Sequence, residues 1–441
     1  MLDSECSAPL VPRIAPCRHV AELTGFTVIN SDAVIANALD EVRRSRKAWE
    51  ERASGTASAG TAYEEFLIHL RTSVPFYRDA DAGAGLPLVG RADHQDHGHR
   101  FRAEPEAGRQ FRISSSGTTG RPLEVTLDEA SWYAVNYHFF AQIRRLAGLS
   151  RGAFRRGAPG VLFVSNKPGR PSFVRPLPSL DDALYLRLQL PDAPADTLAL
   201  LHKFQAPVLY GKPTYLLDLR AALLAAGAAR APWRPQLILV SGECLHPDDR
   251  ERLTGYFRAP VVNALASTEG GLIAATEPNG SHFHVFGENV RLEVLDGSGQ
   301  PSPRGRGELL LTNLVNRSTV FARYRTGDFA ELETAEDGSQ RLLSLHGREP
   351  RTVRFRSGEL SADEVTRAIG FLPGLADFQF VSNGGGRTLL YWSAEASCAD
   401  PAAVEAALRD TLAALLPGED PQLERRARIT PLGGKKRRFL L

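Results

Sequence analysis

Seven consecutive residues, Ser114-Ser115-Ser116-Gly117-Thr118-Thr119-Gly120, hold five hydroxyls and two glycines and are followed by Arg121 and Pro122. Glycines let a backbone approach an oxyanion with no Cβ in the way, their neighbours can aim N–H groups inward as a nest, and hydroxyls add donors. Those are the local requirements of a bound polyphosphate. The stretch is not the phosphate loop of nucleotide hydrolases, G-x-x-x-x-G-K-[ST], because the lysine is missing. A flexible Ser/Gly/Thr linker has the same composition. Alternating runs at 110–113 and 123–127 flank it, however, so it reads as a tight connection between two strands.

Four other stretches carry groups of the right type. Ser267-Thr268-Glu269 lies just past an apolar run, and a glutamate oxygen is a suitable ligand for a hard divalent cation; a Glu after a strand is otherwise solvated surface. Tyr324-Arg325-Thr326-Gly327-Asp328 ends a β-like run in a turn, where Gly327 permits a sharp bend and Asp328 offers an acceptor-only carboxylate. Ser241-Gly242-Glu243 follows the apolar run 237–240, at the carboxyl end of a strand where ligands of α/β sheets gather. Finally, only six of the 53 basic residues are lysine, and two of them form Gly433-Gly434-Lys435-Lys436 near the end of the chain. An ammonium on a flexible stem can enter a narrow site that a planar guanidinium cannot; a solvated basic tail is the plainer reading.

These groups need a scaffold of more than one core. A chain of 441 residues, 43% hydrophobic and 24% charged, predicts two or three domains. The net charge of +2 gives no reason to expect nucleic acid or an anionic membrane as a partner. Cys6, Cys17, Cys244 and Cys398 lack metal-site spacing, and no long apolar stretch suggests secretion or membrane spanning, so a reducing cytoplasm without disulfides is expected. Apolar spacing predicts helices over 32–52 and 62–70. Asp128 can cap a helix bearing Trp132, Tyr133, Tyr137, His138, Phe139 and Phe140. Core packing is the default for that stripe, and the lining of a substrate pocket by Trp132, Tyr137 and His138 is the sharper reading. From residue 160, strands at 161–164, 207–210, 237–240 and 260–262 alternate with helices at 214–226 and 247–257, which predicts a mainly parallel, doubly wound sheet. Residues 289–345 turn β-rich, and 352–441 read as a separate α+β unit with helices at 361–369 and 401–415.

Together the motifs resemble those of the adenylate-forming enzymes: acyl-CoA synthetases, nonribosomal adenylation domains and luciferases. The branch most similar is that of the phenylacetate-CoA ligases, which the segment Val74-Pro75-Phe76-Tyr77-Arg78 also resembles, and the match runs in order from about Tyr77 to Lys435. The resemblance implies an α/β fold in three parts. These are a large N-terminal domain (1–345) of doubly wound mixed sheets with a small β-rich subdomain (289–345), a hinge (346–351), and a mobile α+β lid (352–441). It implies that ATP and Mg²⁺ convert a carboxylic acid, with an aryl acid as the candidate, to an acyl-adenylate, whose acyl group passes to CoA. A carrier-protein thiol or an amine is the alternative acceptor, and a non-catalytic nucleotide- or acyl-binding relative the alternative class.

By the same resemblance Ser114, Ser115, Ser116, Gly117, Thr118, Thr119 and Gly120 hold phosphates. Ser241, Gly242 and Glu243 flank the adenine, Ser267 and Thr268 face the phosphates, and Glu269 holds Mg²⁺. Tyr324 and Asp328 bind the nucleotide, Asp328 through the ribose hydroxyls, Arg348 reaches it from the domain junction, and Lys435 meets the carboxylate and α-phosphate. Three departures stand out. Pro350 occupies the hinge position, where a fixed φ predicts restricted rotation and weak CoA transfer. Leu265-Ala266 replaces an aromatic beside the adenine. The region 276–284 lacks the cysteines of a zinc site carried by some relatives, so no zinc is expected.

Overall fold

The computed structural model describes residues 27–28, 59–80, 85–105, 108, 110–114, 121–166, 172–190, 198, 201–202, 204–347, 352–355, 358–382, 388–395, 398–418, 420–429 and 439–440. The helix expected over 32–52, the loop 115–120, Arg348, Pro350 and Lys435 lie outside them. The chain divides into two compact units: residues 1–162, 171–187 and 262–349 in the first, and 163–170, 188–261 and 350–441 in the second. It is an α/β protein with a large mixed sheet, as the sequence implies.

In the first unit, strands Gln110–Ser114 and Glu124–Asp128 pair antiparallel with Ser114 opposite Glu124, so the hydroxyl-rich stretch is the connection of a two-stranded ribbon. The ribbon's apolar face, Phe111, Ile113, Val125 and Leu127, packs on Phe321 and Tyr324. Asp128 then caps as expected, its Oδ1 accepting from the Ser131 N–H (2.8 Å). The helix that follows is not regular: Glu129–Tyr133 gives way to a π-helical turn, Ala134–His138, before α-helix resumes at Phe139–Leu146. Strands Val261–Ser267, Gly271–Thr276, Phe283–Val285, Gln340–Gly347, Tyr324–Thr334, Gly305–Asn313 and Val290–Leu295 follow one another as antiparallel neighbours. The β-rich stretch is therefore continuous with the strand that precedes Glu269 and shares its core, Ile273, Val290, Leu292, Leu311 and Leu342. The sheet is less parallel than the alternation of strands and helices suggests. Phe173–Leu177 and Ala183–Gln189 add an antiparallel pair that periodicity missed.

In the second unit, Val208–Gly211 and Leu237–Ser241 are parallel neighbours, each followed by a helix, Pro213–Ala225 and Pro247–Phe257. Residues 358–425 supply helices Ala362–Ile369 and Pro401–Leu415 over strands Leu375–Ser382 and Thr388–Ala394. Trp392, Phe378 and Leu408, all about 1% exposed or less, centre that core.

Candidate active site

Ser267, Thr268, Glu269 and Gly270 make the turn between Val261–Ser267 and Gly271–Thr276, with Ser267 opposite Gly271. The Ser267 hydroxyl accepts from the Gly270 N–H (3.0 Å), which closes the turn with a side chain. The Glu269 carbonyl accepts from Asn313 Nδ2 (2.7 Å), and Asn313 is fixed in turn because its Oδ1 accepts from the N–H groups of Val315 (2.8 Å) and Asn316 (3.0 Å). The main chain of Glu269 is thus clamped while its carboxylate is held loosely. Tyr324 Oη lies 3.5 Å from Oε1, and the Arg91 guanidinium 4.0 Å from the same oxygen. Two residues of separate motifs, Glu269 and Tyr324, meet here.

Neighbouring pairs show what a spent carboxylate looks like. Arg323 grips both oxygens of Glu293 at 2.9 and 3.0 Å, and Arg325 donates twice to Glu308 Oε2, at 2.9 and 2.5 Å. Such short fork-like pairs consume the acceptor sites of their partner. Glu269 makes no such short pair with a described residue, and its side chain is only 12% exposed. That fits a divalent cation held jointly with substrate phosphates, because Mg²⁺ is commonly bound through one or two carboxylates plus phosphate oxygens. Among the described residues no cluster of three or more His, Cys, Asp or Glu could hold a metal unaided.

The Glu308 pair also builds the Tyr324–Asp328 turn. Glu308 Oε1 accepts from the Gly327 N–H (3.2 Å), Thr326 Oγ1 donates to the Leu309 carbonyl (2.9 Å), and the Asp328 N–H donates to Thr326 Oγ1 (3.0 Å). Gly327 sits at φ +74°, a left-handed conformation that favours glycine. The bend expected from the sequence is present.

Motif reading missed the helix Arg91–His97. Besides Arg91 at Glu269, this helix holds Arg121, the residue that follows the hydroxyl-rich loop. Arg91 Nη2 (3.1 Å) and Gln95 Nε2 (2.5 Å) donate to the Arg121 carbonyl, and the Arg121 guanidinium donates to Asp96 (3.1 Å) and to the Gln95 carbonyl. On the inner face, His94 is 4% exposed and stacked between Phe101 and Phe321, with centroids 4.0 and 4.4 Å away and Tyr324 edge-on at 5.6 Å. Neither ring nitrogen has a hydrogen-bond partner among the described residues.

Burial pushes the His94 imidazole down from 6.5 to about 3, with Asp93 pulling weakly the other way. The unfolded chain therefore accepts a proton at pH values where the folded protein does not. Stability is unaffected above pH 6.5 and falls by about 1.4 kcal/mol per pH unit from there toward pH 3. His94→Leu should escape that loss, gaining on wild type by about 2 kcal/mol between pH 6.5 and about pH 5 in urea unfolding. A difference that stays constant with pH would contradict a neutral buried imidazole.

In the second unit, Glu243 turns inward. Its side chain is 2% exposed, Oε2 accepts from Thr214 Oγ1 (2.7 Å) and the Thr214 N–H (3.3 Å), and Oε1 faces Lys212 Nζ at 3.6 Å. The carboxylate thus satisfies the first turn of Pro213–Ala225, where a negative charge is favoured. Ser241 Oγ bonds Tyr210 Oη (2.9 Å), and Gly242 has φ +84°. Of the proposed pocket residues in the first unit, Trp132 stacks on Phe111 (4.8 Å, 19°). Tyr137 is 1% exposed beneath Arg175 (5.2 Å), and His138 is 3% exposed. Ser114 ends its strand at the surface.

No family model matches the chain. It is 27% identical over 352 residues, 71% of its length, to N-(5-amino-5-carboxypentanoyl)-L-cysteinyl-D-valine synthase of Amycolatopsis lactamdurans, and spans only 9% of that protein. Among solved structures, 2-hydroxyisobutyryl-CoA ligase in the postadenylation state, in complex with R3-HIB-AMP, aligns with a TM-score of 0.68. The identity is 17%, covering 86% of this chain and 88% of that one. An anthranilate CoA ligase in complex with anthranoyl-AMP aligns with a TM-score of 0.52 at 16% identity, covering 74% and 64%. The chain has the fold of the adenylate-forming ligases.

Proposed function

We propose that the protein activates a carboxylic acid with ATP. The acid's carboxylate attacks the α-phosphorus, the bond to the bridging oxygen breaks, and acyl-AMP and pyrophosphate form; CoA sulfur then displaces AMP from the acyl carbon, its proton going to solvent. The observation that carries this reading is the meeting of Glu269 with Tyr324, residues of two motifs that the fold joins in one site. Mg²⁺, when bound, would neutralise charge on the phosphates, and Glu269 is the side chain placed to hold it. The clamped turn would bring the Thr268 hydroxyl and the Glu269 carboxylate to the same ligand from a fixed main chain. Tyr324 and Arg91 orient that carboxylate, and the Glu308-braced turn presents Asp328 to a ribose.

Ser114 to Gly120 would cradle phosphates, Ser241 to Glu243 the base, and Arg348 and Lys435 would approach from the chain's last part. A unit at 352–441 that moves as a lid about 346–351 belongs to the same reading. Similarity to a peptide synthase supports a second acceptor, a carrier-protein thiol or an amine, and Pro350 at the hinge favours it.

Pyrophosphate release, measured across carboxylic acids with and without CoA, tests the reading. Lys435→Ala should lower it by roughly 10²-fold if the ammonium acts mainly in the transition state. An unchanged rate would remove Lys435 from the site.

A further inference from the structure

Thr268 lines a recess that is open to solvent and whose described lining belongs entirely to the first unit. Its walls are aliphatic: Leu127, Val135, Leu272 and Val315. The π-helical turn puts Val135 there, against Gly271, which has φ +66° and whose added Cβ would lie 3.5 Å from Val135 Cγ2. A glycine is favoured at that φ, so at this point of the lining the valine and not the turn residue supplies the side chain.

The polar groups of the lining are already engaged. Asn289 Nδ2 donates to the Leu272 carbonyl (2.8 Å), and its Oδ1 accepts from Gln142 (3.2 Å). Asn313 is committed to Glu269 and the 315–316 backbone. Asn316 Nδ2 donates to the Thr126 carbonyl (3.0 Å), and its Oδ1 accepts from the Ser318 N–H (3.0 Å). Ser131 donates to Asp128 (2.7 Å). Thr268 makes no side-chain hydrogen bond to a described residue, so its hydroxyl is left for a ligand, beside Glu269. Trp132 stacks on Phe111 and Tyr137 lies under Arg175, and among the described residues no aromatic side chain lines the recess.

We infer that the acid activated here is a short aliphatic carboxylate, its head at Thr268 and its tail against Val135, and that Val135 sets the chain length accepted. The inference rests on the adenylation reading and specifies its substrate class. Specificity would follow because a longer tail meets the Val135 side chain, and each misfit in an apolar pocket costs roughly tenfold or more in kcat/KM.

The experiment is pyrophosphate release by wild type, Val135→Ala and Val135→Phe with propanoate, butanoate, hexanoate, benzoate and phenylacetate. Calorimetric MgATP binding is the control on each variant, and saturation-transfer NMR of butanoate and benzoate on wild type a readout free of both mutation and turnover. Wild type should favour butanoate over benzoate roughly tenfold or more, Val135→Ala should shift preference toward hexanoate by a similar factor, and Val135→Phe should lose all acids while retaining MgATP. Preference for an arene, or an acid profile unmoved by either variant, overturns the inference and leaves adenylation standing. No pyrophosphate with any acid overturns both.

Discussion

Glu269→Gln should lower pyrophosphate release by roughly 10²- to 10³-fold while leaving acid binding nearly intact. Glutamine keeps the length of the side chain, and the Asn313 bond to the Glu269 carbonyl does not depend on the side chain at all, so the turn survives. What disappears is a negative charge whose nearest described cation, Arg91, is 4.0 Å away. Asparagine or glutamine oxygens are weaker ligands for a hard cation, and the Arg91 guanidinium, 4.0 Å away, would face a neutral amide. The loss should appear in kcat, and the Mg²⁺ concentration needed for half-maximal rate should rise. Glu269→Asp should recover part of the rate, because charge returns at the wrong reach. Activity of the glutamine variant within about threefold of wild type would remove Glu269 from the chemistry.

The largest expected effect on stability lies in the second unit. Arg252, on the helix Pro247–Phe257, donates to Asp248 (2.8 Å) and Asp249 (3.4 Å), whose side chains are 1% and 0% exposed. It also donates to the carbonyls of Gly370 (2.8 Å), Leu375 (2.7 Å) and Ala376 (3.3 Å). One guanidinium thus neutralises two buried carboxylates and ties this helix to the turn after Ala362–Ile369. Arg252→Ala should cost about 3–5 kcal/mol, because it takes a cationic partner away from two buried carboxylates. Arg252→Lys should restore only part of that, since an ammonium cannot reproduce the fork. Hydrogen exchange over the Ala362–Ile369 amides measures the effect; undiminished protection in Arg252→Ala would show that the cluster contributes nothing to docking that helix.

Much of this organisation is legible in the chain. Pro247–Phe257 and Pro401–Leu415 are found where apolar spacing and proline starts place them, and the ribbon around residues 115–120 follows from two alternating runs. The Gly327 bend was readable because glycine is the residue most favoured at its φ. Other features left no local mark. The Phe173–Leu177 and Ala183–Gln189 hairpin turns through Asp181 and Asp182 at φ 55° and 59°, without the Asn-Gly signal that such conformations usually carry. Its strands also hold Arg175 and Arg187 beneath aromatic rings, which breaks the apolar alternation. The π-helical turn has the composition of ordinary helix, so nothing in the sequence singles out Val135. Arg91 and His94 stand in a short polar run whose value depends on Glu269 and Tyr324, distant in sequence. The contacts of Glu243 with Thr214 and Lys212 could not be read from the Ser241-Gly242-Glu243 motif either, since both partners lie about thirty residues earlier in the chain.

The central claim, that Glu269, Thr268 and Tyr324 belong to a site forming acyl-adenylates, meets its most direct test in ATP–pyrophosphate exchange. With Mg²⁺, ATP and a panel of carboxylic acids, labelled pyrophosphate should enter ATP only when an acid is present and should cease to do so in Glu269→Gln. Exchange that is absent for every acid while ATP still binds, or that proceeds equally without any acid, would contradict it.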